Sequence, residues 1–76
     1  MGLRALFAAN LRRVRHAKGL SQDVLALKAG VSRSYLSQIE KGTFHVRLKV
    51  IGKLATALEV PPAQLLRPLK RANRST

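Results

Sequence analysis

The chain has 76 residues, 15 Lys and Arg against 3 Asp and Glu, a formal net charge of +12 and no cysteine. That length sustains one small domain with a core that is only just adequate, and without cysteine there is no disulfide or thiolate metal ligand to reinforce it. No run approaches the ~20 apolar residues of a membrane span, and three scattered acids do not readily make a paired acid–base site, so the composition points to a polyanionic partner rather than to an enzyme.

In chain order, a first helix is expected from Leu3 or Leu6 to Lys18, with Leu3, Leu6 or Phe7, Leu11 and Val14 on one face. Arg12, Arg13, Arg15 and Lys18 gather on it. This basic, acid-free, amphipathic start also has the character of a mitochondrial-type presequence. The targeting reading is disfavoured because Leu11, Val14 and Leu20 are needed in a helical core.

A second helix starts at Ser21, a good N-cap, with Gln22 and Asp23 in its first turn and Asp23 favourably placed against the helix dipole. Val24, Leu25, Leu27 and Ala29 supply its apolar surface, and Leu25, Lys28 and Ala29 follow the i, i+3, i+4 step. Gly30 ends it, where a residue without Cβ tolerates the left-handed conformation, and Val31 fills the angle to the next helix. Two short helices joined by a tight turn with glycine at the break form a helix-turn-helix pattern.

Ser32 caps the third helix. At about 100° per residue, Arg33, Ser34, Ser37, Gln38 and Lys41 fall within an arc of roughly 140°, while Tyr35, Leu36 and Ile39 lie opposite. The outer arc therefore offers a guanidinium, an amide, two hydroxyls and an ammonium, and no carboxylate. Those groups match base edges: Arg to guanine, Gln to adenine, Ser to either. An ordinary solvated helix face usually mixes both signs of charge.

Residues 42–47 form a loop, with Phe44 and His45 in it, before a fourth helix over 48–58 whose Leu48, Ile51, Leu54, Ala55 and Leu58 follow the helical period. Pro61 and Pro62 break the chain, and Pro62 suits the first position of a short fifth helix carrying Leu65 and Leu66. Pro68 ends that helix. The expected organisation is one domain over 1–68 and a short basic tail over 69–76, all-α, with no strand pattern and no internal repeat.

The segment LRRVRHAKGLSQDVLALKAGVSRSYLSQIEKG resembles the helix-turn-helix domain of the lambda-repressor and Cro-like (xenobiotic-response-element-type) regulators. The matching residues are Leu11, Arg12 and Val14; Gly19-Leu20-Ser21-Gln22; Leu25-Ala26; Gly30-Val31-Ser32; Tyr35-Leu36-Ser37; and Ile39-Glu40-Lys41-Gly42. Leu48, Ile51, Leu54-Ala55, Ala57-Leu58 and Val60 extend the similarity, which covers about residues 7–67. It implies a compact bundle of about five short helices that binds double-stranded DNA. By the same resemblance, Arg33, Ser34, Ser37 and Gln38 stand at base-reading or adjoining positions. Gln22, Ser32 and Lys41 match phosphate-contacting or flanking positions; apart from the resemblance, Arg12 on the basic first helix and Arg47 and His45 in the loop are further candidates for phosphate contact. Arg15 and Glu40 match a structural ion pair, which burial alone also favours, since a carboxylate at the edge of the inward arc needs a cation. Two departures stand out. Val24 replaces the usual acid of the capping box, and Val46-Arg47 replaces the Pro-Ser or Pro-Thr that commonly precedes the fourth helix.

The function expected is therefore a cytoplasmic, nucleoid-associated transcriptional regulator, a repressor or autoregulator of bacterial or phage type. It would read the major groove as a homodimer on an inverted repeat, without metal, cofactor or small-molecule ligand. Phosphate neutralisation would make its affinity fall with salt by a slope near −0.9 per contact. The alternative is an antitoxin or restriction–modification controller protein that adds a protein partner to the same core. His16 and His45 have no cysteine or carboxylate neighbours that would make a metal or catalytic set. Phe7 and Phe44 form no stacking platform for single strands. A membrane-coating role would require one exposed apolar stripe rather than apolar positions shared among four or five short helices.

Overall fold

Periodicity and capping account for most of the architecture in the computed structural model, which describes residues 2–42 and 45–68. Four α-helices, α1 (Leu3–Ala17), α2 (Gln22–Ala29), α3 (Arg33–Glu40) and α4 (Leu48–Leu58), precede a 3-10 helix, Pro62–Leu66. The hydroxyls of Ser21 and Ser32 accept from the backbone N–H of Val24 (3.1 Å) and Tyr35 (3.0 Å), starting α2 and α3 where expected. Gly30 adopts φ 72° and lets the chain turn out of α2. The Val31 N–H then closes on the Ala26 carbonyl at 3.0 Å. At the far end of α4 the same left-handed conformation falls on Glu59, at φ 60°.

One core joins all the elements: Phe7, Leu11 and Val14 of α1, Leu25, Ala26 and Ala29 of α2, Leu36 and Ile39 of α3, Leu54, Ala55 and Leu58 of α4, and Leu65. Leu20, Val31, Tyr35, Val60 and Ile51 pack half-buried against it. Several apolar positions expected inside are outside. Leu3 and Leu48 are 67% and 84% exposed, because each is the first residue of its helix and projects past the edge of the core. Val24 and Leu27 are exposed because α2 turns only the Leu25, Ala26 and Ala29 stripe inward. Leu66 is also exposed. The fifth helix is 3-10 rather than α, and at 3.0 residues per turn Leu65 can enter the core only by turning its neighbour about 120° away. Phe44 and the tail over 69–76, including Leu69, lie outside the described residues.

Two polar constellations fasten this small core. Asn10 is fully buried on α1. Its Nδ2 donates to the carbonyls of Leu65 (3.0 Å) and Arg67 (2.7 Å), and its Oδ1 accepts from Arg13 Nη2 at 3.0 Å. Both ends of the amide are used, so one side chain ties the C-terminal segment to α1 and orients an arginine.

The second constellation sets the attitude of α3. Glu40, at its end, is only 3% exposed. Arg15 grips its carboxylate with two bonds, Nε to Oε2 at 2.7 Å and Nη2 to Oε1 at 3.1 Å. Gln22 Nε2 donates to the same Oε1 at 2.9 Å. Arg15 Nη1 reaches the Leu20 carbonyl at 2.8 Å, and Arg12 Nη1 donates to the backbone carbonyl of Glu40. Three helices and the turn between the first two are thus joined at one buried carboxylate. Bidentate, charge-assisted bonds of this kind fix geometry as well as adding energy.

Asn10→Ala leaves the buried Leu65 carbonyl without this donor and is expected to cost about 1–3 kcal/mol, read as a lowered urea midpoint at unchanged slope. Glu40→Gln, nearly isosteric, strands a buried guanidinium and is expected to cost about 3–5 kcal/mol. Replacing both partners, Arg15→Met with Glu40→Leu, should recover a large part of that loss, because neither charge is then left unpaired. An equal or greater loss in the double variant would show that the pair itself, not the orphaned partner, carries the stability.

Candidate nucleic-acid interface

The outer face of α3 is built as its periodicity requires. Leu36 and Ile39 are buried, Tyr35 is half-buried, and Arg33 and Ser34 are exposed, with Ser37 and Gln38 half-buried at the same surface. Arg33, Ser34, Ser37 and Gln38 together line one shallow concavity of about 200 Å³. Every side chain lining it bears a hydrogen-bonding group, and none is a carboxylate. The four residues expected from sequence to meet base edges are therefore brought to one place, on a helix whose inner face is locked by the core.

Arg33 occupies the first residue of α3, a position where a cation opposes the positive end of the helix dipole. No acid in that first turn compensates. The compensation comes from α2: Arg33 Nε lies 3.3 Å from Asp23 Oδ1, with both side chains largely in solvent, at 64% and 75% exposure. Sequence reasoning gave Asp23 only a helix-dipole role. The two residues are ten apart, and only the angle between α2 and α3 joins them, so no local pattern announces the pair.

The expected phosphate-contacting residues are more dispersed. Ser32 spends its oxygen on the Tyr35 N–H but keeps its hydroxyl proton at the N-terminus of α3. Lys41 is exposed at the other end of that helix. Gln22 uses one N–H on Glu40 and has a second on the same nitrogen, while Arg12 uses one terminal amino group on the Glu40 carbonyl. Both residues thus have a structural attachment that the sequence did not reveal. Arg47 is exposed, in the N-cap position of α4 without a side-chain cap bond. His45 belongs elsewhere: with Leu3, Arg4, Phe7, Val46, Leu48, Ile51 and Leu66 it lines an apolar groove of about 350 Å³ that shares no residue with the α3 concavity.

Among the described residues no three His, Cys, Asp or Glu side chains group as a metal site, and no helix is long and apolar enough to cross a membrane.

The relationships of the chain agree with this geometry. Residues 11–65 match the helix-turn-helix family model. The chain is 44% identical over 66 residues to a hypothetical transcription factor of Neisseria meningitidis, spanning 87% of this chain and 62% of that protein's length. It is 42% identical over 65 residues to the control protein C.BamHI of Bacillus amyloliquefaciens, spanning 84% of this chain and 80% of that one. The crystal structure of the restriction–modification controller protein C.AhdI from Aeromonas hydrophila superposes with a TM-score of 0.80 at 47% identity, covering 82% of this chain and 94% of that one. By its matched residues, its all-helical architecture and its relatives, this chain belongs to the helix-turn-helix family of DNA-binding transcription regulators.

Proposed function

We propose that the protein is a sequence-specific regulator that docks α3 in the major groove of double-stranded DNA and acts as a repressor or autoregulator without a cofactor. The observation that carries this reading is the α3 concavity, where Arg33, Ser34, Ser37 and Gln38 converge on a chain of net charge +12. Arg33 and Gln38 would read base edges with paired donors and acceptors, and the serines would adapt to either partner. Gln22, Ser32, Lys41, Arg47 and the remaining donors of Arg12 would hold phosphates and set register, leaving sequence to the base contacts. His45 would join them only if its loop approaches the DNA backbone.

Binding as a homodimer to an inverted repeat follows as part of the same proposal, with the two α3 helices about 34 Å apart. Leu65 is fully buried in the monomer core and so does not contribute to such an interface. A second copy covering the groove bounded by exposed Leu3, Leu48 and Leu66 is compatible with this docking, because the residues of the groove are distinct from those of the α3 concavity. Covering it therefore leaves the reading face open.

A second reading rests on the control protein C.BamHI and the restriction–modification controller protein C.AhdI among the similar proteins. On that reading the operator lies beside the genes of a DNA methyltransferase and its nuclease. Genomic fragments retained by the protein would favour it if they map there, and would set it aside if they map only elsewhere.

Selection of bound duplexes from a random pool at physiological salt tests the main reading. An enriched inverted repeat is expected, and retention without any motif would reduce the role to charge-driven binding. On the enriched site, Arg33→Ala or Gln38→Ala should cost about 1–3 kcal/mol and relax preference at one base position each. Gln22→Ala should weaken all sites nearly equally. In sedimentation, Leu48→Glu together with Leu66→Glu should convert the free dimer to monomer without unfolding it. A wild-type protein that is monomeric both free and on DNA would remove the dimer.

A further inference from the structure

The three acids of this chain occupy unlike environments. Glu40 is buried among Arg15 and Gln22, and Glu59 caps the end of α4. Asp23 alone stands in solvent beside the helix that carries the reading face, in ion-pair contact with Arg33. For a protein that approaches a polyanion this is a costly place for a negative charge, since it repels the phosphates that 15 basic residues attract. Beyond its place in the first turn of α2, Asp23 has no buried contact with the fold: its side chain is 75% exposed and the paired Arg33 side chain is 64% exposed. An exposed pair of this kind adds little stability.

We propose that Asp23 is a positioning residue for sequence readout, one that aims the Arg33 guanidinium at a guanine and withholds it from phosphate. The assignment rests on the DNA-reading role proposed above for Arg33. Three features carry it. The contact is made by Nε, so both terminal amino groups remain for a bidentate approach to O6 and N7. Arg33 stands at the start of α3, beside the uncompensated positive end of the helix, where an acid from α2 supplies the charge balance that α3 lacks. A flexible arginine without a nearby anion contacts whatever oxygen is nearest, and on DNA the nearest oxygens are phosphates; a carboxylate 3.3 Å from Nε favours one direction of the fork and sets repulsion against phosphate contact. Affinity for random DNA is thereby lowered and discrimination at one base pair raised.

The test compares wild type, Asp23→Asn, Asp23→Glu, Arg33→Ala and the double variant Asp23→Asn/Arg33→Ala on the selected site, on single-base variants of it, and on an unrelated duplex. The base pair at which Arg33→Ala loses discrimination identifies the contact. At that pair Asp23→Asn should lower the ratio of correct to incorrect affinity about 2–5-fold, with other positions unchanged, while affinity for the unrelated duplex rises by a similar factor. Asp23→Glu, which keeps the charge, should restore most of the ratio. In the Arg33→Ala background Asp23→Asn should change discrimination no further, and the melting temperature of Asp23→Asn should fall by no more than the few degrees that losing one first-turn acid of α2 costs. Full discrimination by Asp23→Asn at the Arg33 base pair would overturn the assignment alone, as would a uniform loss at every position. A further loss in the double variant would overturn it differently, by showing that Asp23 reads a base itself. A wild-type protein that enriches no motif would overturn the DNA-reading role on which the assignment rests, and the assignment with it.

Discussion

A carboxylate buried at the end of a helix must be met by donors, and in this protein the donors of Glu40 come from two other helices. Arg15 and Arg12 approach from α1 and Gln22 from the first turn of α2, while Arg15 also holds the carbonyl of Leu20 in the connecting turn. The hydrophobic core could be satisfied by several small rotations of α3 about its axis, because apolar contacts are non-directional. Hydrogen bonds of defined direction remove that freedom. The outward face of α3 is consequently presented at one angle, and the four side chains of its concavity keep their relation to the rest of the surface.

That arrangement couples stability to recognition through shared residues. Gln22 and Arg12 each touch Glu40, and each has further N–H donors beyond the one so used. A change in either one alters the support of α3 as well as any backbone contact it makes. Of the base-reading candidates, Arg33 and Ser34 project from the exposed side of α3.

Charge is distributed with the same economy. The large positive excess provides long-range attraction that falls steeply with salt and carries no sequence information. Information has to come from the few side chains that are aimed, and aiming requires local partners. Glu40 aims a helix, and Asp23 lies where it would aim a side chain. Away from both, Leu3, Leu48 and Leu66 surround an apolar groove that does not overlap the polar concavity, so a protein contact and a DNA contact need not compete.

Much of this was legible along the chain. The 3.6-residue period put Leu36 and Ile39 inside and Arg33, Ser34, Ser37 and Gln38 outside, and Ser21, Ser32 and Gly30 marked the helix ends through local hydrogen bonding and backbone freedom. The edge position of Glu40 pointed to a buried cation, and the cation is Arg15. Helix-end leucines misled, because periodicity gives the direction of a side chain but not whether a neighbouring helix extends far enough to cover it; Leu3 and Leu48 face a place the core does not reach. Asn10 carries no local signal, since a polar residue on an apolar stripe acquires meaning only when the distant carbonyls of Leu65 and Arg67 arrive. What the sequence determined by itself was thus the set of helices, their caps and their inward faces, all governed by interactions within a few residues. The tertiary structure alone decided the pairing of Asp23 with Arg33, the attachment of Gln22 and Arg12 to Glu40, and the separation of groove from concavity. Each of these depends on the angle and distance between helices, which packing of the whole core sets and no local pattern encodes.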